Sequence, residues 1–137
     1  MIYAGIQKTS LVDYPGRICT TLFVRGCNMD CIYCHNPALS KESNLTTFDY
    51  TISYILNYLK NAKHIKAVCI SGGEPTIYND LLCDISKMKN LFDLSIKVDT
   101  NGSRPEMIMA IRRYVNYLAM DFKGLYPSLF RDRKSVV

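Results

Sequence analysis

Apolar positions along the chain alternate between a strand-like and a helix-like period, and that alternation predicts the fold class. RICTTLFV (Arg17–Val24) is β-branched and apolar and runs into Gly26 and a cysteine-rich loop, which predicts a strand. TTFDYTISYILNYLKN then puts Phe48, Ile52, Ile55, Leu56 and Leu59 on one helical face, with Thr46 and Asp49 spaced for a capping start. KAVCIS (Lys66–Ser71) reads as a buried strand ending at Gly72-Gly73, and YNDLLCDISKMKNL sets Leu81, Leu82, Ile85 and Met88 at helical spacing. LSIKVDT (Leu94–Thr100) predicts a third strand stopped by Asn101-Gly102. Ser103 is placed to cap a helix with Pro105 in its first turn and Ile108, Ile111 and Val115 facing inward. NYLAMDF (Asn116–Phe122) predicts a fourth strand, and YPSLF the start of another helix. The polar SKESN (Ser40–Asn44) reads as a loop within the domain.

Strands separated by helices imply βα units with right-handed crossovers, hence an α/β fold on a parallel sheet. No fixed-period repeat, low-complexity tract or interdomain linker interrupts the pattern, so residues 1–137 are expected to form one domain. The unusual stretches GCNMDC, GGEP, DTNG and MDFKG each fall at the C-terminal end of a predicted strand. In a parallel α/β sheet these ends converge on one rim, where ligands bind.

Composition narrows the classes. The chain is 48% hydrophobic and 21% charged, with a formal net charge of +5. No apolar run approaches the ~18 residues of a membrane span, and a basic-then-apolar leader pattern is missing, so no membrane association and a cytoplasmic location are expected. The lysines and arginines are scattered apart from the RDRK tail, which disfavours nucleic acid as a partner. Six cysteines in such a chain point to metal binding or catalysis more than to disulfides.

Three of those cysteines carry the chemistry. Cys27, Cys31 and Cys34 lie in RGCNMDCIYCHNP at C-x3-C-x2-C spacing, which lets their thiolates reach three corners of an iron–sulfur cube or three sites of a zinc ion. Cys19, Cys69 and Cys83 read as buried small apolar residues, and His35 would be a fourth ligand only with awkward geometry. An open metal position, as catalytic sites keep, therefore fits better than a closed structural site. Gly72 and Gly73 let backbone approach a ligand closely, and Glu74 offers a carboxylate at the rim, although a plain strand-exit turn with an exposed glutamate has the same sequence. Asp99, Thr100, Asp121 and Lys123 share that rim, where isolated acidic residues are often only loop hydrogen-bonders. Asn101-Gly102 reads as a turn. Tyr50, Tyr54 and Tyr58 read as a half-buried helical face, and Met107, Met109 and Met120 as core. Arg25 reads as a surface arginine, with an alternative role beside an anionic cluster.

GCNMDCIYCHNP, with the aromatic Tyr33 before the last cysteine, resembles the signature of the radical S-adenosylmethionine (SAM) superfamily. The resemblance implies that Cys27, Cys31 and Cys34 hold a [4Fe-4S] cluster whose fourth iron is chelated by the SAM methionine moiety. It further implies reductive cleavage of the sulfur–C5′ bond and a 5′-deoxyadenosyl radical that abstracts hydrogen. SGGEP (Gly72, Gly73, Glu74, Pro75) would contact the SAM ammonium, Lys123 would pair with its carboxylate, Thr100 would sit beside SAM, and Asp99 and Asp121 would suit ribose contacts or a hard monovalent cation. DYPG (Asp13–Gly16), CHNP, DTNG and MDFKG look most like the activating proteins of anaerobic ribonucleoside-triphosphate reductase, which install a glycyl radical on that large partner. An electron donor such as flavodoxin or ferredoxin is then implied. A radical SAM enzyme acting on a small molecule or another peptide, and a noncatalytic iron–sulfur or zinc module, are the alternatives. The resemblance also implies a partial TIM-like barrel with more βα units than the four predicted strands supply. A compact native protein, a truncated chain, or a partner or second copy completing the wall is therefore expected, and activity of this chain by itself is doubtful.

Overall fold

The computed structural model describes residues 1–40 and 49–121. In chain order its elements are β1 (Ile2–Ser10), β2 (Cys19–Val24), a single helical turn α1 (Pro37–Ser40), β3 (Tyr50–Thr51), α2 (Ile52–Asn61), β4 (Ala67–Gly72), a short 3-10 turn (Pro75–Ile77), α3 (Leu81–Phe92), β5 (Ser95–Thr100), α4 (Pro105–Ile111) and β6 (Tyr117–Met120). Six strands among the described residues form one sheet in the order β3-β1-β2-β4-β5-β6. The four strands read from the sequence are β2, β4, β5 and β6. They pair in parallel, with Val24 beside Gly72, Ile70 beside Val98 and Thr100 beside Met120. The result is an α/β fold with a mostly parallel sheet, a partial barrel of the expected kind.

Two strands depart from the expectation. β1 lies antiparallel to β2, and the two-residue β3 lies antiparallel to β1, so the sheet is not wholly parallel. A hairpin needs only a short loop, whereas a parallel neighbour needs a crossover. Residues 11–18 supply such a loop between β1 and β2.

Strand alternation sorts the two sheet faces. Leu22, Val24, Val68, Ile70, Ile96 and Val98 face the helices and pack with Ile55, Leu59, Leu81, Ile85, Met88 and Ile111 in the main core. Each such side chain, fully buried, contributes roughly 1.5–3 kcal/mol from removal of apolar surface from water. The other face is narrower and more polar. Cys19, Ala67 and Cys69 pack there under Tyr14, which the 11–18 loop folds across, and the Tyr14 ring meets Tyr117 of β6 at a centroid distance of 6.3 Å.

Several sequence expectations are corrected. The helix expected from Thr46 begins at Ile52, because Tyr50 and Thr51 are extended against β1, and Thr51 caps it by accepting from the Tyr54 N–H at 3.3 Å. Thr46 and Phe48 lie outside the described residues, as do most of SKESN and all of YPSLF. Ser103 does not cap α4; Arg104 stands at that position without a side-chain capping bond, and the Ser103 hydroxyl instead accepts from Asn28. Cys83 is exposed on α3, and Met109 and Met120 are exposed too, since their positions point away from the helix–sheet interface. Arg25 is ion-paired with Asp49 at 2.5 Å.

One buried polar contact ties β1 to the helix layer. The Tyr3 hydroxyl, wholly buried, donates to Asp84 Oδ2 at 3.0 Å, and burial followed by the neighbouring Asp84 charge holds the phenol well above its usual pKa. Tyr3→Phe removes this donor from a buried carboxylate and is expected to destabilise the fold by about 1–3 kcal/mol, read as a lower urea midpoint at unchanged slope. Because the folded protein holds this proton more tightly than the unfolded chain, the contribution is fully present below about pH 10 and is lost as pH rises above it. The gap between wild type and Tyr3→Phe should therefore narrow in alkaline unfolding curves.

Candidate active site at the C-terminal rim

The exits of β2, β4, β5 and β6 surround a cleft of about 290 Å³. Cys27, Met29, Cys31, Tyr33, Cys34 and His35 line it from the loop after β2, with Asn36 and Ser40 behind them; Ser71, Gly72, Gly73 and Glu74 line it from β4, Asp99, Thr100 and Asn101 from β5, and Asp121 from β6. Ten of the twelve site residues expected from the sequence thus face one cavity. Pro75 does not line it; it is buried and opens the 3-10 turn. Lys123 lies outside the described residues.

The paired glycines are demanded by packing. Gly72 has φ +106°, and a Cβ there would fall 2.5 Å from the Val24 nitrogen. A Cβ at Gly73 would sit 1.8 Å from the Gly26 carbonyl oxygen. With no side chains between them, β4 and the start of the cysteine loop touch backbone to backbone. The Gly73 N–H donates to the Val24 carbonyl at 2.9 Å and the Glu74 N–H to the Gly26 carbonyl at 2.8 Å. The Tyr78 hydroxyl donates to the Arg25 carbonyl and fastens the same corner.

Glu74 is not a free rim carboxylate. It is almost completely buried, and protein donors engage both of its oxygens. Oε1 accepts from the Thr76 N–H at 3.1 Å, the Thr76 hydroxyl at 2.5 Å and the Thr100 hydroxyl at 2.7 Å, while Oε2 accepts from the Asn101 N–H at 2.7 Å. The carboxylate therefore staples the β4 exit to the β5 exit.

Asp99 is likewise held. Its Oδ1 accepts no well-aligned hydrogen bond and is compensated by the Lys97 ammonium at 2.9 Å, while Oδ2 accepts from the Cys69 thiol at 3.6 Å. Lys97 also donates to the Asp13 carbonyl at 2.7 Å, joining the DYPG loop to the site. Burial, the largest single influence, opposes the charge on Lys97, but the Asp99 contact and the electrostatic pull of Cys69, Asp99 and Asp13 together outweigh it, and the ammonium is held above its usual pKa. Cys69 is pushed well up by burial and then by the Asp99 charge, which keeps it a thiol. Lys97 was missed in the sequence, where its signal was a cation in the middle of a buried-type strand.

The three loop thiols line one side of the cleft. Burial raises the Cys27 thiol; the Met29 N–H, 3.4 Å from its sulfur, opposes that rise, and Glu74, Cys31 and Cys34 add to it. Among the described residues no three Cys, His, Asp or Glu side chains converge on one point to hold a single ion. A cube presents a different iron to each thiolate, so its ligands need not converge. The donor set thus suits an iron–sulfur cluster.

A parallel sheet with a triple-cysteine loop over its C-terminal rim defines a class of cluster-dependent α/β proteins. Residues 21–135 match the family model of the radical SAM superfamily, and the chain belongs to that superfamily, which implies a [4Fe-4S] cluster and SAM as its cofactors. The chain is 34% identical over 124 residues to a Methanocaldococcus jannaschii protein whose name provisionally assigns it to the glycyl-radical enzyme activating enzymes, covering 89% of this chain and 50% of that one. It is 30% identical to the pyruvate formate-lyase-activating enzyme of Clostridium pasteurianum, covering 87% of this chain and 51% of the relative. It is also 31% identical to the 7-carboxy-7-deazaguanine synthase of Methanospirillum hungatei, with coverage of 76% and 42%. The chain spans about half the length of the curated relatives it matches.

Gly73→Ala is expected to push the cysteine loop off β4, destabilising the protein by at least about 3 kcal/mol; thermal unfolding checks the fold, and iron content after anaerobic reconstitution checks the loop. Thr100→Val, of nearly the same volume, removes one donor to Glu74 and the acceptor of the Gly102 N–H. It should cost about 1–3 kcal/mol in urea unfolding without altering far-ultraviolet circular dichroism.

Proposed function

We propose that this chain is the radical SAM domain of an activating enzyme, and that its partner is a large anaerobic ribonucleoside-triphosphate reductase on which it generates a glycyl radical. The observation that carries the reading is the shared cleft: the three loop cysteines, the Gly72-Gly73 backbone and the Asp99–Thr100 strand end face one another across a space of about 290 Å³. When bound, a reduced cluster supplies the electron that cleaves SAM.

Within this reading Cys27, Cys31 and Cys34 hold the cluster and leave one corner to SAM. Tyr33 and the backbone of Gly72 and Gly73 contact SAM, with Asp99, Thr100 and Asp121 on the opposite wall. Glu74 acts by keeping Thr100 and Asn101 in place, since its own oxygens are engaged; Pro75 sets the direction in which the chain leaves the glycines. Lys123 would meet the SAM carboxylate. The reading requires no monovalent cation, because the charge beside Asp99 is Lys97. Flavodoxin or ferredoxin would deliver the electron in an anaerobic cytoplasm; no helix among the described residues is long and apolar enough to cross a membrane.

The likeness to a deazaguanine synthase favours one second reading, a radical SAM enzyme acting on a small molecule. Anaerobic reconstitution followed by electron paramagnetic resonance separates the possibilities. Four irons per chain, a reduced-cluster signal that changes on adding SAM, 5′-deoxyadenosine release and a glycyl-radical doublet on the reductase are expected. Each of Cys27→Ala, Cys31→Ala and Cys34→Ala should abolish the cluster signal. SAM cleavage with no radical on the reductase would favour the small-molecule reading, and zinc retention with no SAM cleavage would sink both.

A further inference from the structure

We propose that the Asn101 side-chain amide is a positioning group for the cluster, donating a hydrogen bond to Cys27 Sγ and making the cluster easier to reduce. The inference rests on the reading of Cys27 as a cluster ligand. Read as sequence, Asn101-Gly102 is only a turn, yet the folded chain directs this amide at the cysteine loop. Its Nδ2 lies 3.9 Å from Cys27 Sγ and donates to Asn28 Oδ1 at 3.0 Å. The amide has one chemically sensible orientation. Its Oδ1 accepts the Ser103 N–H at 3.0 Å, so the carbonyl end is fixed away from the sulfur and the NH2 end toward it. Asn28 is fixed in turn, donating its own amide to the Ser103 hydroxyl at 2.7 Å.

The backbone of Asn101 is anchored as firmly, since its N–H donates to the buried Glu74 carboxylate at 2.7 Å. An unbroken path of hydrogen bonds therefore runs from the β4 exit through Glu74 and Asn101 to Cys27, and the amide cannot drift without breaking several of them. Cys27 then receives N–H groups from two directions, the Met29 backbone at 3.4 Å and the Asn101 side chain at 3.9 Å. Donors to a ligand sulfur withdraw electron density and favour the more negative, reduced cluster, a recognised way for a protein to set the potential of an iron–sulfur centre. A cluster with one corner open to solvent and cosubstrate gains from such a donor on its protein side.

The test is a redox titration of the reconstituted cluster, followed by electron paramagnetic resonance without SAM, on wild type, Asn101→Leu and Asn101→Asp. Removing the donor should lower the ratio of reduced to oxidised cluster at fixed potential about tenfold in Asn101→Leu, a shift of about 59 mV to more negative potential for one electron. Asn101→Asp keeps the shape but replaces the NH2 end with an acceptor, and should shift at least as far. Equal midpoints in wild type and a loaded variant would overturn the inference. So would failure of both folded variants to load iron, since Asn101 would then be needed to form the loop and not to tune the cluster. A wild-type chain that takes up no cluster would instead overturn the functional reading itself.

Discussion

The cleft depends on one close approach, that of the Gly73 backbone to the Gly26 backbone. A single added carbon at Gly73 would overlap the Gly26 carbonyl oxygen, so only glycine lets the second parallel strand rest against the root of the cysteine loop. Two hydrogen bonds across this contact, from Gly73 to Val24 and from Glu74 to Gly26, then fix the loop's starting direction. The helix-side core sets the sheet, and this contact decides where the loop leaves it.

Glu74 extends the same constraint sideways. A buried carboxylate is costly unless donors surround it, and Thr76, Thr100 and Asn101 provide them. The outcome is a rim in which neighbouring strand ends are bonded to one another through side chains, beyond the reach of the sheet ladder. A second tie on the opposite face runs from the 11–18 loop through Lys97 to Asp99. Residues lining the cleft are thus held from both faces of the sheet, which fixes their positions relative to one another.

Much of this was legible from the residues. The four parallel strands carried clear apolar runs, and the cysteine loop, paired glycines and DTNG stretch all fell at their C-terminal ends, so convergence on one rim followed from topology. β1 was not legible: IYAGIQKTS mixes apolar, glycine and polar residues, and only its antiparallel position beside β2 makes it a strand. The role of Glu74 was half legible. Spacing placed it at the rim but could not say whether its oxygens faced a ligand or the threonines that turn back on it. Asn101 escaped because the same dipeptide serves any turn, and its partners come from a loop far away in sequence. Met109 and Met120 misled because hydrophobicity alone does not specify which side of an element meets the core.

The β1–β2 hairpin also bears on how the chain reaches this state. Ser10 pairs with Cys19 across a short connection, whereas Cys19 must wait for Ala67 to arrive from the far end of a crossover. Local pairings close faster than distant ones, so contact order favours the hairpin closing before β4 docks on it. The cysteine loop hangs from the local pairing, while its glycine counterpart belongs to the strand that arrives across the crossover, so the two halves of the cradle meet only when that long-range contact closes.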